Sequence, residues 1–101
     1  MTLKEMCIEL GIPLWLYIRY ENKGPTHTCR LDPVKCSIVI NGVNNLAGEP
    51  HGIGFNESEA IRDLVRNLVS CHEHTADAII RYKSVYDDRI RDFPIPADLT
   101  A

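Results

Sequence analysis

The stretch 52–65, GIGFNESEAIRDLV, constrains the fold more than any other, because it fixes where a helix begins and which of its sides is buried. Asn56 is a good N-cap, Glu59 falls at the third helical position as a capping-box partner, and Phe55 before the cap can pack back toward Ala60 as a staple. A helix is therefore predicted to start at Glu57. Its first turn carries Glu57 and Glu59, which suit the positive end of the helix dipole. Ala60, Ile61, Leu64, Val65, Leu68 and Val69 then recur at helical spacing as a stripe to be buried. The Gly52-x-Gly54 pair ahead of the cap reads as a turn.

Upstream, Thr2 can cap a first helix with Glu5 as its box partner, and Leu3, Met6, Cys7 and Leu10 fall on one helical face before Gly11 ends it. From Pro13 the run LWLYIRYE reads as a strand, and NKGPT after it as a turn. A second strand is predicted over 28–40, interrupted at Pro33, with VKCSIVI as its regular part. Asn41-Gly42 is the strongest hairpin signal in the chain, so VNNLAGE, 43–49, should return as a third strand. The order is α-β-β-β-α. An α+β fold follows, with a three-stranded antiparallel sheet and both helices on one face, over residues 1–70.

Beyond Ser70, residues Ile79, Tyr82, Tyr86, Ile90 and Phe93 fall at intervals of three and four, which predicts an additional C-terminal helix over 71–93. The two prolines of FPIPADLTA then impose an extended tail over 94–101.

With 101 residues, 45% hydrophobic and 25% charged, the chain suits one small domain. Its net charge of −3 is the opposite of the basic footprint of a dedicated nucleic-acid binder. No apolar run is long enough to span a membrane, and the N-terminus is amphipathic rather than a leader, so a soluble cytoplasmic or nuclear protein is expected. Cys7, Cys29, Cys36 and Cys71 lack close pairing and read as reduced thiols.

The Gly-x-Gly turn, the polar cap and the helix with Ala60 resemble the end of a double-stranded-RNA-binding domain. That family reads roughly G-x-G-x-S-K-K-x-A-K-x-x-A-A there, with its lysines on phosphates. In this chain Asn56 stands at the serine position and Ala60 at the helix alanine. Glu57, Ser58 and Ile61 replace the lysines, and Leu64 and Val65 the later alanine pair. GPTH, residues 24–27, resembles the GPxH of the loop that enters the RNA minor groove, and Pro13 and Tyr17 stand near the family's P-x-x-Y positions at a spacing one residue longer. The resemblance covers residues 2–70 and implies the same α-β-β-β-α fold. If each charge-assisted contact is worth roughly 1.5–3 kcal/mol, losing three removes useful RNA affinity. The resemblance therefore implies the degenerate, protein-binding type found in RNA-silencing cofactors, which contacts a Dicer-type ribonuclease or a second copy of itself.

Two groups of candidate residues follow. Partner binding is expected at the third strand, Val43, Asn44, Asn45, Leu46 and Ala47, whose stretch carries a single charge to discourage edge pairing, and at the stripe Tyr82, Tyr86 and Ile90. Residual RNA binding would use Lys4, Gly24, Pro25 and His27, with Arg19, Lys23 and Arg30 as further phosphate contacts among interleaved Glu5, Glu9 and Glu21.

Cys71, His72 and His74 lack a second Cys/His pair for zinc, and no third group orients a Cys–His nucleophile, so neither metal, cofactor nor catalysis is expected. Asp87, Asp88 and Asp92 with Arg89 and Arg91 read as a solvated helix end. Two alternatives stand beside protein binding. One is a weak double-stranded-RNA binder. The other is a small viral or phage inhibitor whose acidic surface mimics nucleic acid to block a host nucleoprotein.

Overall fold

A computed structural model describes residues 1–46, 50–71 and 78–101. Along these run α1 (Leu3–Glu9), α2 (Leu14–Tyr17), β1 (Ile18–Lys23), β2 (Thr26–Leu31), β3 (Cys36–Ile40), β4 (Val43–Leu46), β5 (His51–Gly54), α3 (Glu57–Ser70), β6 (Ala78–Lys83) and β7 (Ile90–Pro94). The α+β class and the antiparallel pairing agree with the sequence. The single three-stranded sheet does not, because the strands form two sheets, ordered β1-β2-β5 and β4-β3-β6-β7.

The helix starts follow local chemistry. Thr2 Oγ1 accepts from the Glu5 backbone N–H at 3.1 Å, and the Thr2 N–H donates to Glu5 Oε2 at 3.0 Å. After α1 the chain turns at Gly11, whose φ of +72° is the left-handed value favouring glycine. The strand predicted from Pro13 begins only at Ile18. Pro13, at φ −62°, is set for a helical turn, and its carbonyl accepts from the Leu16 N–H at 3.0 Å, so residues 14–17 wind into α2.

Gly24-Pro25 closes the β1–β2 hairpin, with Lys23 opposite Thr26. The strand predicted over 28–40 is two strands in different sheets. Asp32 breaks it: its carboxylate accepts from the Val34 N–H at 3.0 Å and its carbonyl from the Lys35 and Cys36 N–H groups at 3.1 Å. Asn41 and Gly42 both take positive φ, 51° and 78°, the type I′ turn their sequence calls for. The strand they return, β4, therefore pairs with β3 and belongs to the second sheet. The third strand of the first sheet is β5, which contains the glycine pair read as a turn.

The helix predicted over 71–93 is replaced, from residue 78 onward, by the β6–β7 hairpin. Ala78, Ile80 and Tyr82 are buried while the residues between them are less so, a period of two. The supposed helix end is hairpin chemistry. Arg81 Nε donates to Asp92 across the strands at 2.9 Å, and the Asp87 carboxylate accepts from the Arg89 N–H at 3.1 Å and from Arg91. The last residues fold back: Ile95 and Leu99 are buried, and the Leu3 N–H donates to the Thr100 carbonyl at 2.9 Å. Among the described residues a hydrophobic cluster joins Leu3, Met6, Tyr17, Leu31, Ile38, Leu64, Leu68, Ile80 and Leu99, so the two sheets and three helices described share a core.

Candidate protein-contact surface

Residues of α2, β1 and the start of α3 line one cleft of about 270 Å³: Leu14, Trp15, Ile18, Tyr20, Glu57 and Ile61. The local fold explains why apolar groups meet there. The single turn of α2 sends Tyr17 into the core and leaves Trp15 76% exposed. Tyr20 lies on the α3 side of the sheet, its hydroxyl hydrogen-bonded to His27 Nδ1 on the neighbouring strand, with the two ring centroids 5.8 Å apart. Partial desolvation, with the Glu57 charge adding to it, raises the Tyr20 phenol above its ordinary pKa. The cleft thus has aromatic and aliphatic walls and one carboxylate.

At the start of α3 the Asn56 side chain accepts from the Glu59 N–H at 2.9 Å, as expected of an N-cap. The box closes one residue early, since Glu59 Oε2 accepts from the Phe55 N–H at 2.8 Å. Phe55 does not staple onto Ala60. It is 79% exposed, because Ala60 is already covered by the glycines of β5. Of the three positions that hold lysines in the resembled family, Glu57 and Ser58 are exposed and Ile61 is half-buried in the cleft.

The expected partner surface is only partly assembled. Among the described residues β4 is the terminal strand of its sheet, with Val43 63% exposed beside Asn44. Asn45 and Leu46 continue the strand, and Ala47 lies outside the described residues. The stripe is split. Tyr82 is buried, edge-on to Tyr17 with centroids 5.9 Å apart at 81°, and is not available to a partner. Tyr86 is exposed in the β6–β7 turn, its ring 3.1 Å from where a Cβ on Gly11 would sit. Ile90 is exposed on β7, the opposite edge from β4 and about 14 Å from it at 4.8 Å per strand.

The RNA-binding candidates are also dispersed. Lys4 is exposed on α1, which packs on α2, while Gly24 and Pro25 lie at the far tip of the β1–β2 hairpin, about 20 Å along β1. His27 turns inward to Tyr20 rather than out from the tip.

All four cysteines are free thiols, and among the described residues no three His, Cys, Asp or Glu side chains gather as a metal site. His72 and His74 lie outside the described residues. No described helix is long and apolar enough to cross a membrane. The sequence reading missed Trp15, since a strand assignment over 14–17 hides which side chains point outward; Pro13 immediately before the run is the signal that finds the helical turn. No protein-family model, curated protein or solved structure matches this chain.

Proposed function

We propose that this chain is a non-catalytic module that makes protein–protein contacts, with a second copy of itself or a Dicer-type ribonuclease of RNA silencing as partner. The observation that carries the reading is the exposed cleft in which Leu14, Trp15, Ile18, Tyr20 and Ile61 come together. Covering Trp15 would remove on the order of 150 Å² of apolar surface from water, about 4 kcal/mol at 25 cal/mol/Å². Tryptophan and tyrosine in such a pocket are the usual anchors of an interface. The β4 edge offers a second route to self-association, by strand pairing.

The resemblance to a double-stranded-RNA-binding domain supports the same direction. The clamp positions carry Glu57, Ser58 and Ile61, and Glu57 and Glu59 add negative charge where phosphate would sit.

Sedimentation equilibrium of the wild type, Trp15→Ala and Leu46→Lys tests the proposal. It expects a concentration-dependent dimer that Trp15→Ala weakens, and a further loss in Leu46→Lys if the edge takes part. A monomer at every concentration, together with RNA-duplex binding that His27→Ala abolishes, would reject it in favour of the RNA-binding alternative.

A further inference from the structure

The face of β1-β2-β5 turned away from α3 carries a row of nitrogen-bearing side chains. Gly52 and Gly54 face α3, so His51 and Ile53 between and before them face the other way. The register sets Arg19 opposite Arg30 and Arg30 opposite His51, one residue on each of three neighbouring strands. Together with Glu21, Lys23, Thr28 and Ile53 they line a shallow cleft of about 390 Å³.

Like charges directly opposite on adjacent strands destabilise a sheet. Neither guanidinium lies within ion-pair distance of a carboxylate among the described residues, though the charge of each helps to hold the Glu21 carboxyl low. The carboxylate of Glu21, on the same face, is held by Lys23 at 3.0 Å, and that contact keeps its pKa low. Three cations, Arg19, Lys23 and Arg30, against one carboxylate, Glu21, leave this cleft with two positive charges, on a chain whose total is −3.

We propose that this face binds the phosphoryl group of a small phosphorylated ligand, a monoester or a diphosphate. Two guanidinium groups one strand apart present two planar donor forks, a geometry that suits the tetrahedral oxygens of a phosphate dianion. A carboxylate brings a single charge and two coplanar oxygens, so it neutralises the pair of guanidinium groups less completely than a phosphate dianion does. Thr28 lies in the neighbouring row as a hydroxyl donor, and Ile53, half exposed beside it, offers apolar contact to the ligand's organic part. The site is separate from the Trp15 cleft, which lies on the α3 side of the sheet.

The test follows the backbone amide resonances of Arg19, Thr28, Arg30 and Ile53 during titration with phosphate and with pyrophosphate, against sodium chloride and sodium acetate at equal ionic strength. Saturable shifts are expected for both phosphates, tighter for pyrophosphate, with none for chloride or acetate. Arg19→Gln and Arg30→Gln should each weaken pyrophosphate by roughly tenfold or more, the loss of one charge-assisted contact. Their melting temperatures should equal or exceed the wild type's, because the like-charge pair is relieved, so lost binding is distinguishable from lost folding. Equal shifts with acetate, no saturation, or wild-type affinity in both variants would overturn the site.

Discussion

A Cβ placed on Gly52 would stand 1.9 Å from the Ala60 carbonyl oxygen and 2.4 Å from the Leu64 amide nitrogen. The backbone of β5 therefore runs directly under α3. Gly54 is held in the same way, with the Ala60 amide nitrogen 2.6 Å from the position its Cβ would take. The pair is required by packing of helix on strand, and it sets the height at which α3 begins and hence where Glu57 and Ile61 meet the Trp15 cleft.

Gly52→Ala should cost about 3 kcal/mol or more, since the obstructing atoms are backbone and cannot swing away. Gly24→Ala supplies the contrast: its φ is +75° but nothing lies within 4 Å of the new Cβ, so only the left-handed conformation is penalised, by about 1 kcal/mol. Urea denaturation of both variants gives the order. Equal losses would show that β5 and α3 are not in close contact.

Tyr17 is 1% exposed and its hydroxyl has no hydrogen-bond partner among the described residues. Burial and the neighbouring thiols push its phenol far above the ordinary range. Tyr17→Phe removes an unsatisfied polar atom and keeps the ring against Tyr82, so it should be neutral or stabilising by about 1 kcal/mol. Tyr17→Ala should lose about 3–5 kcal/mol. A Phe variant clearly less stable than the wild type would mean that the hydroxyl is satisfied.

Thiol reactivity should separate the cysteines. Burial pushes Cys7 and Cys29 up to about 11 and Cys36 up to about 12, and all three are buried. Burial also raises Cys71, which is only half covered. Because the thiolate is the nucleophile, mild alkylation of the native protein should label Cys71 first and the other three only after unfolding, as read by peptide mass spectrometry. Prompt labelling of Cys29 would contradict the β2–α3 packing.

The β6–β7 hairpin should weaken in acid. A hydrogen bond from Arg81 holds the Asp92 carboxyl below its ordinary value of 3.8, and Arg91, with the Arg89 N–H, does the same for Asp87. Both folded values lie below the unfolded ones. The stabilisation is thus complete above about 3.8 and disappears as pH falls through the depressed folded values. The groups are solvent-exposed, so the effect is small and salt-sensitive. Protection of the β7 amides, taken relative to the intrinsic exchange rate at each pH, should fall below that pH, and Asp92→Asn should already show the lower protection at neutral pH.

Sequence reading succeeded where the chemistry is local. Thr2 with Glu5, Asn56 with the Glu59 N–H, and Asn41-Gly42 each involve groups within three residues, so side-chain type alone specifies the geometry. It failed where the deciding contact is distant. Gly52 and Gly54 look like a turn until α3 is placed over them. Tyr82, Tyr86 and Ile90 are spaced by four, which is one helical turn and also an even number of strand residues, so the interval fits both periods. The candidate surfaces were hidden for the same reason. Trp15 is turned out to solvent only when residues 14–17 are helical, and Arg19 faces Arg30 only in the β1–β2 register.

Trp15 is the single tryptophan of the chain, so its emission reports directly on the cleft. The most direct measurement is the emission maximum and acrylamide quenching of the wild type as concentration rises through the range in which sedimentation is expected to show self-association. A solvent-exposed spectrum that shifts to the blue and becomes protected in step with dimer formation is the predicted result. A dimer whose Trp15 stays red-shifted and fully quenchable, or a chain that never associates, would contradict the cleft as a contact surface between copies.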